Sequence, residues 1–268
     1  LDYDAEDVAA VFGRAAHVYD TVIPFFARFG ARLVEWAVLR PGESVLDVGA
    51  GRGATLIPAA HRVGRTGRVV GVDLSDEMVA LLEAEVSREG LANASVRRMD
   101  AEALDVGAGS FDAVLCGFVL HLLPRPAVAA AGIARALRPG GRAVASAPTV
   151  AGPHWDFLMG LFEAFAPRAV GPIPMPFRSN FDLAALLTGA GLEVVHSAEE
   201  DLEFTFVDEH QWWDWSWSAG MRALFESLSP LDLAELRQEA LTQVATLRTA
   251  EGVVLQQTAR FVVAQRAM

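Results

Sequence analysis

The chain has 268 residues, 52% of them hydrophobic, enough to bury one substantial core or one domain with a cap. Its formal net charge is −12 and it contains no lysine, a balance that repels polyphosphate backbones and excludes nucleic acid as the expected partner. The single Cys116 excludes an internal disulfide and a multi-cysteine zinc site, and the scattered histidines suggest no metal ligands; with no membrane-length apolar run and no signal-like N-terminus, a cytoplasmic protein is expected.

Residues 4–18 and 25–39 read as amphipathic helices, the second carrying Phe25, Phe29, Leu33, Trp36 and Ala37 at helical spacing. Between them stands Tyr19-Asp20. The run Val45-Leu46-Asp47-Val48-Gly49-Ala50-Gly51-Arg52-Gly53 then breaks an apolar strand into glycines at alternate positions, just before a helix over 54–63. Glycines there permit backbone angles closed to other residues and let the main chain touch a ligand. The spacing is G-x-G-x-G, which differs from the dinucleotide fingerprint in the place of its third glycine. Arg68 to Asp73 is a second buried strand, ending in a carboxylate where doubly wound sheets bind ribose hydroxyls. A helix over 76–89 leads to a third strand, Ala94 to Met99, which ends in Asp100-Ala101. The fourth, Phe111 to Cys116, runs into Gly117 and on to His121. A helix over 126–137 and the turn Arg138-Pro139-Gly140-Gly141 precede a fifth strand, Ala143 to Ala147.

This alternation predicts an α/β fold, a doubly wound and mostly parallel sheet with helices on both faces. Ligands in such sheets bind beyond the carboxyl ends of the strands, where Gly49 to Gly53, Asp73, Asp100 and Gly117 to His121 all fall. Beyond it, Pro148 to Ser179 combines prolines with His154, Trp155, Phe157, Phe162 and Phe165, and reads as a helix over 153–166 plus a loop that lie over the pocket as part of a lid. Phe181 to Ala190 is helical in pattern and Glu193 to Phe206 is a sixth strand. In Asp208 to Leu228, Trp213, Trp217, Met221, Leu224 and Leu228 form one helical stripe that reads as core. Trp212 and Trp215 lie off it, facing either an acceptor pocket or a partner subunit. A helix from Pro230 to Leu247, with Ser229 as N-cap, precedes a final strand, Val253 to Gln265.

The Asp47-x-Gly49-x-Gly51-x-Gly53 loop, Asp73, Asp100-Ala101, the Phe111-Asp112 strand and the Arg138-Pro139-Gly140-Gly141 turn, in this order, resemble the class I S-adenosylmethionine-dependent methyltransferases. Within them the chain looks most like the bacterial small-molecule branch, which includes the ubiquinone and menaquinone biosynthesis C-methyltransferases and many natural-product tailoring enzymes. The resemblance covers residues 10–147 and implies a seven-stranded sheet whose last strand is antiparallel. It implies one methyltransferase domain over 1–268, with a cofactor-binding core at 41–147 and a helical cap or lid from 1–40, 148–179 and 208–250. S-adenosylmethionine is the cofactor implied. Gly49, Ala50, Gly51 and Gly53 would approach its amino acid tail and Asp47 would order the loop and the ammonium. Asp73 would bind the ribose, Leu74, Met78, Asp100 and Ala101 would border the adenine, and Cys116 and Gly117 would stand beside the cofactor at the end of the fourth strand. Tyr19 either closes over the methionine part, as a similar segment does in many relatives, or packs its ring against the core.

Transfer from a sulfonium needs alignment and exclusion of water more than leaving-group chemistry. A phenol, amine or ring carbon must still lose a proton, a task suited to a neutral imidazole. His121 is the first candidate base, against a reading in which it points to solvent, and His154 is the second. No Asn-Pro-Pro-type motif follows the fourth strand, and Cys116 reads as a small core residue, not a nucleophile. The expected acceptor is a small, apolar, aromatic or heteroaromatic metabolite that Trp155, Phe157, Phe177, Trp212 and Trp215 could stack on. Carbon is placed slightly ahead of oxygen or nitrogen as the methylated atom. A non-catalytic, cofactor-binding subunit is the alternative from another class, and a second copy of the chain is a candidate partner.

Overall fold

The computed structural model describes residues 3–149, 153–175 and 181–268, and among them no helix is long and apolar enough to cross a membrane. The central sheet has the strand order β3-β2-β1-β4-β5-β8-β6. Strands β1 (Ser44–Val48), β2 (Arg68–Asp73), β3 (Ala94–Arg98), β4 (Phe111–Gly117) and β5 (Leu137–Pro148) are parallel, with Leu46 between Val70 and Val114 in register. β8 (Gly252–Gln265) runs antiparallel between β5 and β6 (Glu193–Phe206). A two-residue β7 (Arg248–Thr249) pairs with β8 and adds an eighth strand to the expected seven.

The two-residue period of the strands splits the core into two layers. In β4, Ala113 and Leu115 join the cluster under α2 (Phe25–Ala37) and α3 (Leu56–Val63), while Val114 and Cys116 join the one under α5 (Pro126–Ala136) and α7 (Leu183–Gly189). Helix α2 is held at its start by Asp20, whose carboxylate oxygens accept the Phe26 and Ala27 amides at 2.8 and 2.6 Å, satisfying donors that a helix N-terminus leaves free. It meets the glycine loop at Gly30, where a Cβ would lie 2.3 Å from the Ala54 carbonyl oxygen. Gly30→Ala is therefore expected to cost about 2 kcal/mol of stability, read as a lower urea midpoint. An unchanged midpoint contradicts that close approach.

The β6–β8 ribbon is longer than the sheet needs. β5 stops pairing with β8 at Pro148↔Ala259, while β6 stays paired with it out to Phe206↔Val253. The overhang carries Phe204 and Phe206 on one face together with Leu255 and Gln257. Phe25 packs its ring 4.7 Å from Phe204 and 5.1 Å from Trp215 of α8 (Glu209–Ser216), tying the start of α2 to the overhang and to α8. The tryptophan segment is not one helix: it breaks between α8 and α9 (Arg222–Ser227). Ser216 and Ser218 donate their hydroxyls to the Trp213 and Trp215 carbonyls at 2.6 Å, and Gly220 follows, so side-chain bonding and a weak helix former interrupt the expected stripe. Helix α1 (Ala5–Ala15) packs on α4 (Asp76–Arg88) and α9, and α6 (Pro153–Phe165) packs on α10 (Pro230–Ala245).

Candidate active site

The strand order reverses between β1 and β4, and a cavity of about 240 Å³ opens beyond their carboxyl ends. Gly49 and Gly51 after β1, Asp73 at the end of β2 with Leu74 after it, Asp100 and Ala101 after β3, and Gly117 at the end of β4 all line it. Met78 of α4 also lines it, and so do Tyr19 and His121. A smaller recess of about 30 Å³ adjoins it, bordered by Ala50, Arg52, Thr55 and Ser146 as well as by Tyr19, Gly49, Gly51 and Gly117.

The loop is shaped by backbone demands. Gly49, Gly51 and Gly53 all have positive φ, at 70°, 50° and 88°. The Gly49 and Ala50 amides donate to Val72 O at 2.8 and 2.9 Å, and the Gly51 amide donates to Asp73 Oδ2 at 2.8 Å. Asp73 Oδ1 accepts from the Ser75 amide at 3.0 Å. Burial raises the Asp73 carboxyl above its ordinary range, opposed by these amides. Tyr19 stacks on Phe26 at 4.3 Å, and burial, then Asp20 and Asp73, push its hydroxyl well above the usual phenol range. Among the described residues, no group of three or more His, Cys, Asp or Glu is placed to hold a metal ion.

A methyltransferase domain profile matches residues 45–141, which span β1 to the turn inside β5. Nocamycin O-methyltransferase of Saccharothrix syringae is 36% identical over 260 residues, covering 91% of this chain and 92% of its own. The chain belongs to the class I S-adenosylmethionine-dependent methyltransferases. Aklanonic acid methyltransferase DauC of a Streptomyces strain is 36% identical over 62% of this chain and 76% of its own. Among solved structures, the YcgJ protein of Bacillus subtilis superposes with a TM-score of 0.62 at 18% identity, over 90% of this chain and 99% of that one, a likeness of fold.

Two features of this methyltransferase fit S-adenosylmethionine. Apart from its chain neighbours, a Cβ built on Gly51 would meet none of the described residues within 4 Å, so the loop leaves open the space that a ligand's approach to the backbone requires. Asp47 is 1% exposed, and its Oδ2 has no hydrogen-bond partner among the described residues. Burial and then the charge of Asp73 raise its carboxyl to about 8, opposed by the Leu56 amide. A buried carboxyl oxygen left without a donor suits a cationic group of a bound ligand.

Other expected site residues stand elsewhere. Gly53 does not line the cavity: its Cβ would lie 2.5 Å from Leu82, so it allows the loop to pack on α4. Cys116 is also off the lining, because strand alternation turns it into the layer under α5 and α7, where burial pushes its thiol up. Asp47 and Ala50 are off the main cavity as well, the first beneath the loop and the second at the recess. His121 is half-buried, 6.3 Å edge-on from Phe118 and 6.2 Å from Phe181. His154 begins α6, with its side chain outside the described residues, and Phe177 lies outside them altogether. Of the expected lid aromatics, Trp155, Trp212 and Trp215 line the cavity, whereas Phe157 packs 5.9 Å from Trp212.

Sequence reading missed Phe26 and Gln257, which also line it, and placed Phe118 at the ligand-binding edge without giving it a role. Phe118 is held at φ 56°, with its amide bonded to Ser146 O at 3.0 Å, a conformation no sequence pattern announces. Gln257 did leave a signal. It is the one polar residue in the inward register Val253, Leu255, Gln257, Ala259, Phe261, and it is 3% exposed.

Proposed function

We propose that the enzyme transfers a methyl group from S-adenosylmethionine to an oxygen of a small, flat, mainly apolar metabolite. The observation that carries this reading is that one cavity is bordered by Gly49, Gly51, Asp73 and Asp100 and also by Trp155, Trp212 and Trp215. A cofactor on the first set and a ring on the second would share one chamber. Residues 41–147 then form the cofactor-binding part, with 1–40, 148–179 and 208–250 as its cover. Resemblance to the quinone enzymes placed carbon slightly ahead. The relative that spans nearly the whole chain is an O-methyltransferase by name, and that supports oxygen.

S-adenosylmethionine supplies a methyl group already bonded to a cationic sulfur, so no acid is needed at the leaving group. In this reading Asp73 accepts from the ribose hydroxyls, Asp100, Ala101, Leu74 and Met78 border the adenine, and the amides and open space at Gly49 to Gly51 admit the amino acid tail. Asp47 faces the ammonium through its unpaired oxygen. Tyr19, Phe26 and Phe118 present aromatic surface that keeps water out and tolerates a cation. His121 takes the hydroxyl proton as the acceptor oxygen reacts.

A screen of phenols, enols and acids for the mass gain of one methyl tests the acceptor class. Exclusive methylation of proteins or RNA defeats it. On a hit, His121→Ala should lower kcat by about a hundredfold with little change in S-adenosylhomocysteine affinity. Full turnover of that variant across the pH range removes the base role and leaves alignment and the acceptor's own acidity to carry the reaction.

A further inference from the structure

Among the side chains that line the cavity, Trp215 and Gln257 carry polar groups that the reaction as described does not use. Trp215 on α8 is 7% exposed, and its Nε1–H is buried without a hydrogen-bond partner among the described residues. Its ring is fixed by Phe25 at 5.1 Å and Phe206 at 5.4 Å, so the donor is held in place while unsatisfied. Gln257 stands on the overhang of β8, across from Leu202 of β6. Its amide nitrogen donates to Thr258 O at 2.6 Å and to Thr149 O at 3.5 Å. Those two carbonyls fix the orientation of the amide, and among the described residues no donor reaches its oxygen. Both residues line the same cavity.

Neither feature is what packing alone would select. A buried N–H without an acceptor loses its hydration with no return, and a glutamine stands in an inward register otherwise filled by Val253, Leu255, Ala259 and Phe261. A phenylalanine at 215 and a leucine at 257 would close the wall without that cost. One fixed donor and one fixed acceptor in an otherwise aromatic and aliphatic wall describe the complement of a ligand with the opposite pair.

We propose that Trp215 and Gln257 anchor the methyl acceptor, Trp215 Nε1–H donating to a carbonyl oxygen and Gln257 Oε1 accepting from a hydroxyl. The acceptor class is then a flat hydroxy-carbonyl compound. This rests on the reading of the cavity as the acceptor chamber. It adds that selection works by two hydrogen bonds, leaving the reacting oxygen free to face the cofactor.

The test uses the whole protein loaded with S-adenosylhomocysteine and three bicyclic probes of one size: a hydroxytetralone with both groups, the parent tetralone with the carbonyl alone, and the matching tetrahydronaphthol with the hydroxyl alone. Affinities are read by calorimetry. The unaltered protein should hold the hydroxytetralone about five- to tenfold more tightly than either partner compound. Trp215→Phe should erase the advantage that the carbonyl confers while keeping the hydroxyl's, and Gln257→Met should do the reverse. S-adenosylhomocysteine affinity should stay unchanged in both variants and serves as the folding control. If Gln257→Met loses that affinity, the carbonyl preference with and without Trp215→Phe decides by itself. Equal affinities for the three probes in the unaltered protein, or preferences that neither variant moves, overturn the anchoring proposal. Methyl transfer is scored separately by mass gain on the wider acceptor panel. Its loss together with intact probe preferences would overturn the function reading and leave the anchor standing.

Discussion

Gly51→Val is expected to abolish S-adenosylhomocysteine binding, by about a hundredfold or more, while the protein stays folded. Gly51 sits at φ 50° with its amide on Asp73 Oδ2, and apart from its chain neighbours no described residue comes within 4 Å of where its Cβ would be. A valine there projects into the space the ligand must enter, and its branched side chain resists that backbone angle by about 1–2 kcal/mol. Losing close backbone contact and the shape of the loop together accounts for the hundredfold, about 2.7 kcal/mol. Gly53→Val provides the contrast. Its Cβ would lie 2.5 Å from Leu82 and 3.0 Å from Ile57, so the cost should fall on stability first. Calorimetric titration paired with urea unfolding separates the two, and retained binding in Gly51→Val would remove the loop from the cofactor site.

Without cofactor, stability should fall as pH rises from about 4 to about 8, and Asp47→Asn should remove most of that fall. The Asp47 carboxyl is raised to about 8 by burial and by Asp73, against about 3.9 for an unfolded aspartate. Because the folded state binds the proton more tightly, the stabilisation is complete below the unfolded value and is lost as pH rises through the folded one. The difference of about 4 units sets an upper bound of about 5 kcal/mol. Urea unfolding at about pH 5 and about pH 9 should therefore show the variant gaining on the unaltered protein by several kcal/mol at the higher pH. An ammonium placed beside Asp47 Oδ2 would favour the ionised form, so ligand binding below pH 8 should release a proton, visible as a buffer-dependent heat. Asp47→Asn should lose that release and bind at least tenfold more weakly. A variant with the same decline in stability as the unaltered protein would show that Asp47 is not the group that titrates.

The strand-end border of the cavity was legible because its residues are local in sequence. Gly49, Gly51, Asp73, Asp100 and Gly117 each stand at the end of a strand, and a parallel sheet brings all such ends to one edge whatever the helices do between them. The same locality did not predict which neighbours line the cavity, and two expected residues stand off it. Cys116 is adjacent to Gly117, yet the alternation of a strand turns neighbours to opposite layers. Gly53 completes the glycine pattern, but by that point the chain has turned onto α4.

The order of strands and helices, the glycine loop and its acids, and the absence of lysine belong to the sequence by itself, since hydrophobic period and backbone permission act over a few neighbouring residues. Only the tertiary structure decided what faces that loop. Trp215, Gln257, Phe25 and Tyr19 come from distant parts of the chain, and they meet because the β6–β8 ribbon outruns β5 and carries α8 back over the strand ends. The tryptophan stripe showed the same limit. Helical spacing assigned Trp213 to the core and left Trp212 and Trp215 open, and all three proved buried once a break after α8 and packing against β6 and α10 set the orientation of the helix. Period in a sequence measures which residues share a face of an element. Which wall that face becomes depends on where non-local pairing puts the element, and no local pattern encodes the length of a ribbon relative to the strand it leaves behind.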